Sequence, residues 1–241
     1  LYDYAAAKKI YADLQLPPMK VVLTGTGRVS TGAAQVLEDM GIHQVSPRDF
    51  LQETYDEPIY TQLVGRDYLK HKDGNPFDKL HFYQHPEQYL SAFEPYAQHA
   101  DMMINGIYWD SRAPAFFTKE DMANPDFKIS VIADVTCDIA PVASIPATLR
   151  ASTIADPVFG YDPQTGEEAP PYQEGVVDMM TIDNLPSELP RDASTAFGKM
   201  YIEQVIPHIL APNSAMIERA TIARHGRLGP QFGYLMDFVE G

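Results

Sequence analysis

A short apolar run, a glycine turn and a helical apolar repeat follow one another in residues 20–37, KVVLTGTGRVSTGAAQVL. Val21, Val22 and Leu23 are consecutive, the pattern of a parallel strand buried on both faces. The run stops at Gly25-Thr26-Gly27, and from Gly32 onward Ala33, Ala34, Val36 and Leu37 recur at helical spacing. Strand, glycine turn and helix together form the context in which a G-x-G-x-x-(G/A/S) match carries physical meaning. Gly25 allows the tight turn, Gly27 lets a pyrophosphate approach the backbone, and Ser30 is small enough for the helix to pack on the strand. The helix N-terminus adds free N–H groups and the positive end of its dipole. An ordinary glycine-rich strand-to-helix turn is the alternative; the flanking elements favour a nucleotide or dinucleotide site.

The remaining pattern extends this unit. Residues 1–14 read as an amphipathic helix with Leu1, Tyr4, Ala7, Tyr11 and Leu14 on one face. Pro17 and Pro18 end it. Gly41 caps the helix after the glycine turn, and residues 42–45 are a predicted second strand. Its end, which in such folds meets the adenosine ribose, reads Ser46-Pro47-Arg48 without an acidic residue. Residues 59–64 predict a third strand, 87–99 a helix, and 100–107 (ADMMINGI) a strand that runs into Asn105-Gly106. Residues 129–133 predict another strand, with Asp134 and Asp138 following it as candidates, although Asp134 would equally serve to cap a turn. Residues 153–173 read as a Pro-, Asp- and Gly-rich loop, 176–182 as a last strand ending in Asp183-Asn184-Leu185, and 194–210 and 214–224 as helices. Trp109 reads as core packing in preference to a lid. The fold class is α/β, a Rossmann-type doubly wound parallel sheet.

Composition narrows the chemistry. The 241 residues are 45% hydrophobic and 21% charged, with a formal net charge of −15. That charge argues against nucleic acid and anionic membrane as partners, and it means a bound phosphate must be held by local features. The single cysteine, Cys137, excludes an internal disulfide and has no evident His partner that would make it a nucleophile. No signal peptide or apolar run of spanning length is evident, and the expected compartment is the cytoplasm. His81 and His85 stand four apart, a spacing suited to metal on one helix. Pro86 disfavours a helix through His85, so surface histidines are preferred and no metal site is expected. There is no P-loop and no G-x-S-x-G elbow.

The segments TGTGRVSTGA, MMINGIYWD, ADVTCD and TIDNLPSELP, in this order, resemble the lysine-ketoglutarate reductase part of the saccharopine dehydrogenase family, related to alanine dehydrogenase. The resemblance runs from Lys20 to about Leu210. It implies that Gly25, Thr26, Gly27, Arg28 and Val29 hold the pyrophosphate of NADP or NAD, and that Asn105, Gly106 and Ile107 line the cofactor path. By the same resemblance Asp138 points into the cleft, and Asp183, Asn184 and Leu185 contact the nicotinamide end. The family's acid/base lysine and histidine belong to an amino-terminal domain, so a segment before Leu1 is expected. Residues 1–18 would then be an inter-domain helix and linker, 19–210 the dinucleotide-binding domain, and 211–241 a return segment. The absence of an acidic residue at Ser46, with Arg48 close by, favours NADP over NAD.

The function expected is the cofactor domain of an NAD(P)-dependent oxidoreductase acting on the C–N bond of an amino acid or imine. This chain alone is expected to be inactive. Its partner would be a small amino or oxo acid, with neither nucleic acid nor membrane involved and a homo-oligomer allowed. The competing readings are a dinucleotide-sensing module without turnover and an S-adenosylmethionine methyltransferase, which also uses a glycine turn after its first strand.

Overall fold

The computed structural model describes residues 2–240. Leu1, placed on the first helix by its periodicity, lies outside the described residues. Two compact units are present, residues 5–188 and residues 2–4 with 189–240.

The larger unit is built on one eight-stranded sheet. In chain order the elements are α1 (Tyr4–Tyr11, whose first residue belongs to the smaller unit), β1 (Lys20–Thr24), α2 (Arg28–Asp39), β2 (His43–Gln44), α3 (Pro47–Gln52), β3 (Ile59–Leu63), α4 (Gly65–Tyr68), β4 (Leu69–His71), β5 (Tyr89–Ser91), β6 (Met102–Asn105), β7 (Val131–Asp134), β8 (Val158–Asp162), β9 (Glu167–Ala169) and β10 (Val177–Met180). The sheet order is β2-β3-β1-β6-β7-β10-β8-β9, while β4 and β5 form a separate antiparallel pair. Strands β2, β3, β1, β6, β7 and β10 are mutually parallel, and β8 and β9 extend the edge antiparallel. This is the Rossmann-type α/β arrangement that the apolar runs predict.

The chain leaves β1 toward β3 and β2 on one side and later returns to β6 on the other. The order therefore reverses at β1, the switch point where open α/β sheets form their ligand crevice. The apolar run explains why β1 is central. Val21, Val22 and Leu23 are fully buried, with Val22 in the cluster that includes Phe50, Ile59, Met103 and Ile132, and Val21 and Leu23 in the cluster with Leu37 and Ile42. A strand covered on both faces needs consecutive apolar residues instead of alternation. Lys20, just before that run, donates from Nζ to the carbonyls of Phe50 (2.6 Å) and Glu53 (2.8 Å), tying the end of α3 to the start of β1.

Three expectations are corrected. The helix expected over 87–99 is instead strand β5 followed by a single helical turn, Glu94–Ala97, because Tyr89 and Ser91 pair with His71 and Leu69. Pairing to a distant strand outweighs local propensity in so short a segment. The loop expected over 153–173 contains the β8–β9 hairpin, whose short strands VFGYD and EEA carry no long apolar run. Trp109 is half-buried at a cavity instead of in the core.

In the smaller unit, helix Pro190–Met200 is followed by a π-helical turn, Tyr201–Val205, and helix Ile206–Leu210, where a single helix over 194–210 is expected. Asp192 accepts from the backbone N–H of Tyr4, and Arg191 pairs with Asp3. Among the described residues no helix is long and apolar enough to cross a membrane.

Gly160 in β8 lies beside backbone that cannot retreat. A Cβ there would meet the carbonyl oxygens of Ala169 and Pro170 at 2.7 Å and Cγ1 of Val176 at 2.6 Å. Gly160→Ala is expected to lower unfolding free energy by about 1–3 kcal/mol through overpacking, measured by urea denaturation. A neutral outcome would show that the β8–β9 hairpin is loosely held.

Candidate functional site: the glycine turn and the carboxyl edge of the sheet

The turn after β1 is fixed from both neighbouring strands. Gly25 N–H donates to Leu63 O of β3 at 3.0 Å, and Gln62 Nε2 donates to Gly25 O at 2.8 Å. On the other side, Ser30 Oγ, fully buried in the first turn of α2, donates to Thr24 O (2.9 Å) and lies 3.1 Å from Gly106 O after β6. Gly25 has φ +92°, and a Cβ on it would stand 2.7 Å from Ser30 Oγ and 3.0 Å from Gly106 O. It is a glycine for geometric reasons, as the motif predicts.

Gly27 differs. As the N-cap of α2 it has an extended backbone (φ −78°, ψ −175°) and no side-chain cap bond, and a Cβ built on it meets nothing within 4 Å. A side chain would be sterically welcome there, so the space beside it is available to a ligand. The first-turn N–H groups of α2 face the end of the helix without a side-chain acceptor. Thr26, Gly27, Arg28 and Val29 are all exposed, and the Arg28 guanidinium has no hydrogen-bond or ion-pair partner among the described residues. The residues present therefore fit a pyrophosphate.

Beneath the edge runs a buried polar row. Thr24, Asn105 and Asp134, the last residues of β1, β6 and β7, are partners in strand register and at most 1% exposed. Thr24 Oγ1 donates to Asn105 Oδ1 (2.8 Å), and Asn105 Nδ2 donates to Asp134 Oδ1 and Ser144 Oγ (both 2.9 Å). Asp134 also accepts from Thr136 N–H, Thr136 Oγ1 and, on Oδ2, Thr148 Oγ1. Asn105 is thus spent on the protein interior and shapes the floor of the crevice. Asp134 caps the turn, as the alternative reading held. Gly106 is held by its contact with Ser30, which a Cβ would approach to 2.6 Å.

A cavity of about 350 Å³ is lined by residues that follow β3 and β6. Its walls include Tyr68 and Leu69, which follow β3, Ile107 and Trp109, which follow β6, and Phe82 and Phe116. Trp109 Nε1 donates to Val142 O at 2.6 Å, which fixes the indole plane. Sequence reasoning missed this cavity, because its aromatic residues come from segments 48 residues apart. Aromatic-rich stretches after β3 and β6, the two neighbours of β1, are the signal it left.

Further along the edge, Asp138 is half-buried. Burial raises its pKa above the ordinary carboxyl value, and the nearby Asp134 adds to the effect. Burial likewise pushes the Cys137 thiol up, with Asp134, Asp183 and Asp138 adding, and its Sγ donates to Thr181 O at 3.1 Å. A raised pKa disfavours the thiolate. Asp183 and Asn184 are exposed after β10 and Leu185 is half-buried.

Ser46 with Arg48, and His81 with His85, make contacts within the protein. The ribose is expected at the end of the second strand in sequence, yet β2 is the outer edge and the neighbour of β1 on that side is β3. Ser46 caps α3, accepting from Asp49 N–H at 3.1 Å, and Arg48 Nε donates to Gln52 Oε1 at 3.0 Å. The stretch from Val64 to Asp67 follows β3, the neighbour of β1 on that side. His81 lies within helix Lys79–Gln84 and its Nδ1 stands 3.1 Å from Tyr89 Oη, while His85 follows the helix and faces Glu87. Among the described residues no group of three or more metal-ligating side chains is gathered.

A parallel α/β sheet with a glycine turn at its switch point defines the class as Rossmann-type. No protein-family profile matches the chain. Over 92% of its length it is 27% identical to the mitochondrial alpha-aminoadipic semialdehyde synthase of Rattus norvegicus, and over the same share 27% identical to the alpha-aminoadipic semialdehyde synthase of Arabidopsis thaliana. Over 80% of its length it is 27% identical to saccharopine dehydrogenase (NAD(+), L-lysine-forming) of Emericella nidulans. It spans 27%, 23% and 41% of those proteins respectively. The chain is thus similar to enzymes of the lysine-ketoglutarate reductase/saccharopine dehydrogenase family, the family that its motifs resemble.

The raised pKa of Asp138 has a consequence for stability. A carboxyl that binds its proton more tightly when folded loses stability as pH rises through the folded pKa, since the unfolded chain gives up that proton more readily. Asp138→Asn is therefore expected to raise Tm at pH 7 and to have no effect near pH 3, measured by thermal melts across that range. An Asn variant less stable at pH 7 would show that the ionised group has a compensating partner.

Proposed function

We propose that this chain forms the nicotinamide-dinucleotide side of an NAD(P)-dependent oxidoreductase acting at the C–N bond of an amino acid or imine. The observation that carries the reading is the pair of features flanking β1: an uncapped α2 N-terminus with open space at Gly27, and an aromatic cavity between the ends of β3 and β6. The first suits a pyrophosphate and the second a planar base, at the switch point where such ligands bind. The relatives' names, which include a saccharopine dehydrogenase acting with NAD(+) and forming L-lysine, support both the cofactor class and the amino-acid substrate.

On this reading the backbone of Gly25, Thr26 and Gly27 and the amides of Arg28 and Val29 hold the pyrophosphate, with the Arg28 guanidinium offsetting charge that the whole chain repels. Ile107 and the aromatic walls receive the adenine. Asn105 and Gly106 set the floor through their internal contacts. Asp183, Asn184 and Leu185 border the nicotinamide end. A bound nicotinamide supplies hydride transfer. Asp138, which keeps its proton to higher pH than an ordinary carboxyl, offers a proton-exchanging group at the same edge. The dinucleotide-sensing alternative keeps the same binding residues and omits turnover.

Replacement of Gly27 tests the pyrophosphate assignment cleanly, because its backbone suits any residue and its Cβ direction is open. Gly27→Val is expected to leave the melting temperature near wild type and to abolish NAD(P)H binding in calorimetry. Unchanged binding would remove the phosphate from this turn.

None of the groups assembled at the crevice is a lysine or a histidine. General acid–base help contributes roughly 10²–10⁴-fold, so the 241-residue chain by itself is expected to show no NAD(P)H oxidation with lysine and 2-oxoglutarate in a spectrophotometric assay. Robust turnover would place the acid/base group within the chain.

A further inference from the structure

Arg66 follows β3, one of the two strands that border β1. It sits in α4, three residues beyond Leu63, whose carbonyl accepts from the Gly25 N–H of the glycine turn. Its side chain is exposed and has neither a hydrogen bond nor an ion pair among the described residues. Tyr68 and Leu69, which follow immediately, line the aromatic cavity. In sequence, Arg66 thus falls between the residue that holds the glycine turn and the residues that line the cavity, after the strand whose end meets the adenosine ribose in such folds.

The carboxylate that would otherwise hold a ribose diol is turned away. Asp67 Oδ2 accepts from the Val64 N–H at 2.8 Å, folding the side chain back over the start of α4. A carboxylate gripping the diol favours NAD and repels a 2′-phosphate, whereas a free guanidinium at that position does the reverse. Arg48 is less suited. It follows β2 on the outer edge of the sheet and its Nε is bonded to Gln52. Since the formal net charge of the chain is −15, an additional phosphate needs a local cation to be bound at all.

We infer that Arg66 reads the 2′-phosphate of NADP(H) and sets the cofactor preference of this protein. The inference rests on the dinucleotide reading given above and adds to it the residue and the direction of selectivity. A charge-assisted contact from a guanidinium to a phosphate is worth roughly tenfold to a hundredfold in affinity.

The test is to titrate NADPH and NADH separately into wild type, Arg66→Ala, Arg48→Ala and Gly27→Val, following reduced-nicotinamide fluorescence. Wild type is expected to bind NADPH more tightly than NADH. Arg66→Ala should lose about tenfold to a hundredfold for NADPH and nothing for NADH, Arg48→Ala should match wild type, and Gly27→Val should lose both. If Arg66→Ala keeps wild-type NADPH affinity, or Arg48→Ala takes the loss instead, Arg66 is not the reader while the dinucleotide site stands. Tighter binding of NADH by wild type overturns the direction of selectivity and returns Asp67 to the ribose. Failure of wild type to bind either cofactor overturns the dinucleotide reading and this inference with it.

Discussion

The buried row Thr24–Asn105–Asp134 is the constraint on which the rest of the crevice depends. Three adjacent parallel strands end in polar side chains that water does not reach, and each must find its partners within the protein. Asn105 satisfies the strands on both sides at once, accepting from Thr24 and donating to Asp134. The buried carboxylate collects four donors and so draws in Thr136, Ser144 (through Asn105) and Thr148 from the loop after β7. A fully satisfied network of this kind fixes one register, because a slip of one residue in any strand would orphan several buried groups. The carboxyl ends of β1, β6 and β7 are therefore level, and the loops that leave them start from a rigid edge.

Above that row the glycine turn is held by contacts too close for larger residues. Gly25, Ser30 and Gly106 form a three-way approach between the turn, the first turn of α2 and the loop after β6. With Leu63 and Gln62 holding the turn from β3, the N-terminus of α2 is aimed outward and left without a side-chain cap. Pre-set N–H groups cost little to organise when an anion arrives. The unfavourable neighbours of Asp138 belong to the same arrangement. A carboxyl kept near Asp134 and partly out of water is a local cost to the fold, and such costs gather at sites of chemistry.

Much of this was legible in order along the chain. The consecutive apolar residues of β1, the glycine spacing and the helical repeat of α2 are local signals, and each maps onto the element it predicts. The runs that became β3, β6, β7 and β10 are equally plain, because a strand buried on both faces must be apolar throughout. The misread segments lack that property. Strands β4, β5, β8 and β9 are three to five residues long and antiparallel, and they depend on pairing with partner strands more than on an apolar run of their own. Trp109 carries no local mark of whether it lines a cavity or fills a core.

The sequence by itself determined the α/β class, the glycine turn as the organising motif and the order of the family-like segments. Those follow from short-range sterics and from periodicity. Tertiary structure alone decided that β3, not β2, lies beside β1, and so which arginine follows the neighbouring strand. It also decided that Asn105 is spent on the interior and that aromatic residues from two loops enclose one cavity. Strand order and the meeting of distant loops are set by which long-range pairings bury the most surface and satisfy the most polar groups together. A chain read from one residue to the next carries no record of that choice.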